Sequence, residues 1–169
     1  AWSQLSRRVG DRLAQAGLPP GALELEIGER LLLDEVESGG RALPALAELG
    51  IRLAVDGFGS GPISLVLLRD AGLRTLKLGR ALLERTPEDS HRTLFAAAVI
   101  RLGKQLGLRV VAEGAEGRPQ LQMLRREGCD AVQAFMSCPP LPAEACTGWL
   151  RQAMGRVTKG QAMGRVDKD

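Results

Sequence analysis

Five polar residues stand at the ends of apolar, strand-like segments of this sequence. They are Glu26, Asp56, Lys77, Glu113 and Gln133. Carboxylates brought together from separate strands suit hard divalent cations such as Mg²⁺, and a nearby lysine can orient a water molecule or neutralise a phosphate. The alternative is that each residue is a solvated strand end or one half of an ion pair. Their recurrence at every candidate strand favours a shared site.

Short apolar runs alternate with segments of helical periodicity along the chain. The candidate strands are residues 23–27, 51–56, 74–78, 108–113 and 130–135. The candidate helices are residues 4–16, 40–49, 63–71, 91–106, 117–127 and 142–153, several of them closed by a glycine. This alternation predicts an α/β fold with a parallel sheet, either doubly wound or closed as a barrel.

Side chains alternate between the two faces of a strand, so the five polar residues are expected on one face. The opposite face carries apolar residues such as Leu53, Val55 and Leu76, which are expected to pack under the helices. If the strands are parallel, the polar side chains project from their carboxyl ends toward one mouth. In (β/α) barrels, binding and catalysis take place at that mouth.

Composition excludes several classes of function. The net charge is +3, and the excess lies in residues 151–169, while the chain holds few aromatic residues; binding to DNA or RNA is therefore not expected. No apolar run is long enough for membrane insertion and no signal peptide is evident, so a cytoplasmic protein is expected. The three cysteines and single histidine lack the spacing of a zinc site.

The last residues form a near-duplication, because "QAMGRVTKG" at 152–160 is followed by "QAMGRVDKD" at 161–169. One repeated nonapeptide cannot bury a core of its own, so a disordered end or a helix extension is expected. The predicted organisation is a domain over residues 1–150 and a basic repeat tail over residues 151–169.

The order of these motifs resembles the EAL domain family of cyclic di-GMP phosphodiesterases. The matching stretches are "LELEIGERLLLDE", "LGIRLAVDGFGSGPISLVLL", "LRTLKLGRALL", "LGLRVVAEGAEGRPQLQMLRREGCDAVQAFM" and "PPLP", which together cover roughly residues 20–145. The resemblance implies a TIM-like (β/α) barrel, of which this chain holds about five strands with their flanking helices. A complete barrel takes about 250 residues.

The resemblance also implies roles for individual residues. Glu26, Asp56 and Glu113 match metal ligands, Lys77 matches the catalytic lysine that engages water, and Glu116 matches the glutamate that steadies the loop after "IRLAVD". The residues expected to line the nucleotide site are Asp56, Lys77, Glu113, Gln133 and Phe135. In the family, paired Mg²⁺ or Mn²⁺ ions activate water against one phosphodiester bond.

The sequence departs from the family pattern at several points. The family's "DDFGTG" is "DGFGSG" here, with Gly57 in place of the second Asp; "LKID" ends in Gly79, and "EITE" has Gly28 for Thr. The E-A-L motif lies earlier in the family's domain than this chain is expected to reach, and the sequence contains no asparagine to match the family's Asn ligand. Half of the family's metal ligands are therefore expected in this chain.

These departures predict a domain without phosphodiesterase activity that requires no cofactor, with Mg²⁺ or Mn²⁺ relevant only to residual activity. The favoured interpretation is a cyclic di-GMP receptor. The alternative is an interaction module that contacts other signalling proteins or domains without nucleotide, and an active phosphodiesterase is the third hypothesis. The free edge of strand 23–27 is expected to be covered by the N-terminal helix, by a second copy of the chain as a homodimer, or by another polypeptide.

Overall fold

The structure is a computed structural model that describes residues 4–61, 65–134 and 140–158. The strands are β1 (Glu24–Gly28), β2 (Arg52–Phe58), β3 (Thr75–Leu78), β4 (Arg109–Glu113) and β5 (Ala131–Gln133). The helices are α1 (Leu5–Gln15), α2 (Glu29–Glu37), α3 (Ala42–Glu48), α4 (Leu65–Asp70), α5 (Arg80–Leu83), α6 (Ser90–Gln105), α7 (Arg118–Arg126) and α8 (Ala143–Thr158). A 3₁₀ turn covers Pro20–Ala22.

The strands form one sheet in the order β1-β2-β3-β4-β5, and each strand runs parallel to the next. This confirms the predicted parallel α/β fold. A doubly wound sheet reverses its strand order at a switch point, whereas successive strands of a (β/α) barrel lie side by side in sequence order. The described strands follow the second pattern, as the expected portion of a TIM-like barrel should.

The sheet has one apolar face and one polar face. On the apolar face Leu53, Val55, Leu76 and Val110 have no exposed surface. These side chains join the core with apolar residues of the surrounding helices, including Leu32, Leu46, Ile100 and Leu124. Burial of this face stabilises the fold and leaves the other face free to carry polar groups.

Asp130 fixes the start of β5 against its neighbour. Its Oδ2 accepts a hydrogen bond of 2.7 Å from the backbone N–H of Val110, and its other oxygen pairs with Lys104 of α6. Burial alone would raise the pKa of Asp130, but the hydrogen bonds from Lys104 and Val110 hold it below its ordinary value. The loop between α7 and β5 is thereby tied to both β4 and α6.

Helix α2 was not among the predicted helices. It begins directly after β1, and its N-cap is Gly28, which offers no side chain to accept a hydrogen bond from the first turn. Ser, Thr, Asp and Asn are the residues that mark a helix start in a sequence. The glycine at position 28 therefore removes the signal by which this helix could have been predicted.

Among the described residues, 140–158 belong to a second compact unit, the division falling after Ala134. Helix α8 belongs to this second unit and extends across position 151, where the repeat tail was predicted to begin. Phe135 lies outside the described residues. Among the helices described, none is both long enough and apolar enough to cross a lipid bilayer.

Candidate functional site

Lys77 lies at the centre of the polar face of the sheet. Its Nζ is 2.6 Å from Oε2 of Glu26, 2.5 Å from Oε1 of Glu113 and 3.4 Å from Oδ1 of Asp56. Three strands besides its own therefore direct a carboxylate at one ammonium group. The structure brings together four of the residues that the sequence singled out.

The lysine of this cluster is buried, whereas its partners are more accessible. Lys77 is only 4% exposed, while about half of the Glu26 side chain and nearly as much of the Asp56 side chain face solvent. Burial alone would lower the pKa of Lys77, but its hydrogen bonds to Glu113 and Glu26 outweigh burial and raise the pKa above its ordinary value. The ammonium group is therefore positively charged at neutral pH.

A small residue lets the carboxylates of β1 reach β3. In the sheet register Ala54 of β2 stands between Glu26 and Thr75. Across it, Glu26 contacts Lys77, and one layer further from the mouth Glu24 accepts a hydrogen bond of 2.8 Å from the Thr75 hydroxyl. Since a methyl group takes little room above the sheet, two polar contacts span β2 side by side.

Gln133 ends β5 in register with Glu113 of β4. Its side chain is exposed at the same edge of the sheet as the Lys77 cluster. An exposed amide offers both a hydrogen-bond donor and an acceptor, which suits recognition of a polar ligand. Its role in nucleotide binding remains a prediction.

The loop after β2 is held by a residue that the sequence analysis missed. Glu29, at the start of α2, is 5% exposed, and its Oε1 accepts a hydrogen bond of 2.8 Å from the N–H of Gly59. Glu116, to which the resemblance assigned this role, pairs instead with Arg80 of α5. Within the described residues Glu29, which follows Glu26 by three positions, holds the backbone of this loop, and the role that the resemblance gives Glu116 stays a prediction.

The chemistry of the cluster suits a hard cation. Glu26, Asp56 and Glu113 each offer a carboxylate oxygen, and these oxygens lie within 4.8 Å of one another. Carboxylate oxygens are the ligands that Mg²⁺ and Mn²⁺ prefer. These three residues are the ones that would hold a metal, although the space between them already receives the Lys77 ammonium group.

Two of the glycines that depart from the family pattern lie against each other. Gly57 has φ of +66°, and a Cβ added there would meet only the Ser60 hydroxyl oxygen, at 3.8 Å. A Cβ added at Gly79 would instead stand 3.0 Å from both the carbonyl carbon and the carbonyl oxygen of Gly57. The absence of a side chain at position 79 therefore allows the end of β2 to approach the end of β3.

Gly79→Ala is expected to lower the free energy of unfolding by about 1–3 kcal/mol, because the new methyl group presses on backbone atoms that cannot rotate away. Gly28→Ala is the matched control. Both glycines are helix N-caps with nearly the same extended φ and ψ, but a Cβ at Gly28 would have no atom within 4 Å. Urea unfolding of the two variants isolates the clash, and equal losses would contradict it.

Most of the chain is similar in sequence to known proteins. The EAL domain family matches residues 2–140. The chain is 38% identical over 149 residues to the cyclic di-GMP phosphodiesterase NbdA of Pseudomonas aeruginosa, a match that covers 88% of this chain and 19% of NbdA. This chain thus spans about a fifth of the length of that relative.

Solved structures show the same fold. The EAL domain of Mycobacterium smegmatis DcpA superposes with a TM-score of 0.81 at 30% identity, covering 88% of this chain and 67% of that one. The PaMucR phosphodiesterase in complex with cyclic di-GMP gives a TM-score of 0.78 at 31% identity, covering 85% of this chain and 58% of that one. This chain thus shares the fold of solved EAL domains.

Proposed function

Since this chain belongs to the EAL domain family, we propose that it is a receptor domain for cyclic di-GMP that binds the nucleotide without cutting it. One observation carries the proposal: the polar face of the sheet keeps its charged and amide side chains, while position 57 is a glycine without a carboxylate. Lys77 and Gln133 stand at the carboxyl ends of their strands, where ligands of (β/α) barrels bind. Relatives whose names state cyclic di-GMP chemistry support the choice of ligand.

The absence of cutting is proposed from position 57. Two-metal hydrolysis needs ligands for both ions, because the attacking oxygen and the leaving oxygen must each be stabilised. Gly57 provides no carboxylate where the family pattern has its second Asp, and Gly79 removes another carboxylate beside it. The three carboxylates around Lys77 are still present, so the polar face does not depend on the carboxylates that are absent at positions 57 and 79.

Calorimetric titration with cyclic di-GMP tests the proposal, and it should be run with and without Mg²⁺ because the three carboxylates repel phosphate. The wild-type protein is expected to bind, and Gln133→Ala is expected to weaken binding about tenfold, as the loss of a hydrogen bond predicts. Gln105→Ala is the matched control. Gln105 is also an exposed glutamine, but it is the last residue of α6 and precedes the amino end of β4, at the opposite edge of the sheet from Gln133.

The outcomes separate the candidate functions. Equal weakening by both glutamine variants would point to nonspecific attraction rather than to the strand-end face. No binding by the wild-type protein in either buffer would overturn the receptor proposal and favour the interaction module.

A further inference from the structure

The cluster on the polar face contains its own cation. Lys77 is buried, and its ammonium group contacts carboxylates from β1, β2 and β4. Its two shorter contacts are 2.6 Å to Oε2 of Glu26 and 2.5 Å to Oε1 of Glu113. The ammonium nitrogen thus lies among the same three carboxylates that could hold an ion.

We propose that Lys77 is the resident cation of the three-carboxylate cluster, and that a divalent cation binds these carboxylates only by displacing its ammonium group. An ammonium nitrogen and a metal ion cannot both lie between the same two oxygens. All three carboxylates that could bind an ion already contact the ammonium group, so the two cations compete for the same residues. The inference goes beyond nucleotide binding, because it concerns the cluster with no nucleotide present.

The carboxylates are accessible from solvent and the lysine is not, so an incoming ion and the ammonium group reach the carboxylates from opposite sides. The carboxylates of Glu26 and Asp56 are partly open to solvent, so an ion can approach them from the mouth. Lys77 fills the cluster from the sheet side, since its backbone lies within β3 and the residue is almost wholly buried. The three carboxylates carry three negative charges and the lysine compensates one, so its removal strengthens the attraction for a dication.

Mn²⁺ titration of the nucleotide-free protein tests the inference. Lys77→Met keeps much of the length of the side chain and removes its charge, and it is expected to bind Mn²⁺ at least about tenfold more tightly than the wild-type protein. Lys104→Met is the matched control. Lys104 pairs with the single carboxylate of Asp130 outside the cluster, so its replacement is expected to leave Mn²⁺ affinity unchanged.

Thermal denaturation of Lys77→Met supplies a second readout. Without metal the three carboxylates repel one another, and the variant is expected to melt at a lower temperature than the wild-type protein; Mn²⁺ is expected to restore most of the difference. Adding Glu26→Gln to Lys77→Met is expected to remove most of the gained affinity. Unchanged or weaker Mn²⁺ binding by Lys77→Met would overturn the proposal.

A measurement on the wild-type protein covers the case in which Lys77→Met does not fold. The ammonium group of a buried, hydrogen-bonded lysine gives an NMR signal of its own, and saturating Mg²⁺ is expected to shift or remove the signal of Lys77. Mg²⁺ that binds at Glu26 and Glu113 while this signal stays unchanged would contradict displacement. Because no nucleotide enters any of these experiments, their outcomes are independent of the receptor proposal.

Discussion

Purified protein incubated with cyclic di-GMP and Mg²⁺ or Mn²⁺ is expected to leave the nucleotide uncut. Gly57 offers no ligand for a second ion, and a single ion cannot stabilise both the attacking and the leaving oxygen of the phosphodiester. We expect turnover at least about 10²-fold below that of an active relative, the order of loss that follows removal of a transition-state charge stabiliser. Chromatography of the linear dinucleotide product measures it.

The matching domain of NbdA, assayed in the same buffers, is the positive control. The Glu113→Gln variant, which removes a charge from the cluster around Lys77, distinguishes the protein's own activity from that of contaminating enzymes. Product that forms with the wild-type protein and disappears in this variant would show that position 57 is dispensable, and the receptor proposal would be abandoned.

Leu76→Ala is expected to have the largest effect on stability, lowering the free energy of unfolding by about 3–4 kcal/mol. Leu76 has no exposed surface and lies between Val55 and Val110 on the apolar face of the sheet. Urea denaturation measures the loss. Thr75→Ser is the control on the opposite face of the same strand, because it keeps the hydroxyl that donates to Glu24 and is expected to cost about 1 kcal/mol.

A double-mutant cycle with Gly103 checks the packing behind this prediction. A Cβ at Gly103 of α6 would lie 2.9 Å from Cδ2 of Leu76 and 2.8 Å from Cγ2 of Val110. Gly103→Ala alone is expected to destabilise, and to cost at least about 0.5 kcal/mol less in the Leu76→Ala background, where one of the two clashes is gone. Additive losses would show that α6 does not press on Leu76.

The parallel sheet and much of the site could be predicted because both follow from local alternation. Leu76 and Leu78 fall on one side of β3 and Thr75 and Lys77 on the other, so a period of two suffices to assign the faces. Parallel strands then bring their carboxyl ends to one edge, and this places Lys77 near carboxylates from other strands. The short connections between strands and helices left few other arrangements.

The features that could not be predicted depend on contacts between distant positions. Glu29 holds Gly59 across thirty positions of sequence, and nothing in "EIGE" states that its second glutamate turns toward another loop. Ala54 reads as an ordinary core residue, yet its small size lets Glu26 reach Lys77. The centring of the lysine among the carboxylates depends on distances that strand alternation does not set.

The contact between Gly57 and Gly79 constrains how this sequence could evolve. A side chain at position 57 meets open space, apart from the strain that a positive φ imposes on any residue with a Cβ, whereas one at position 79 meets the backbone of Gly57 in β2. A lineage regaining the family's two aspartates would therefore find the change at 57 far more accessible than the change at 79. While the end of β2 lies against Gly79, a side chain regained at position 79 would be selected against by its cost to the fold.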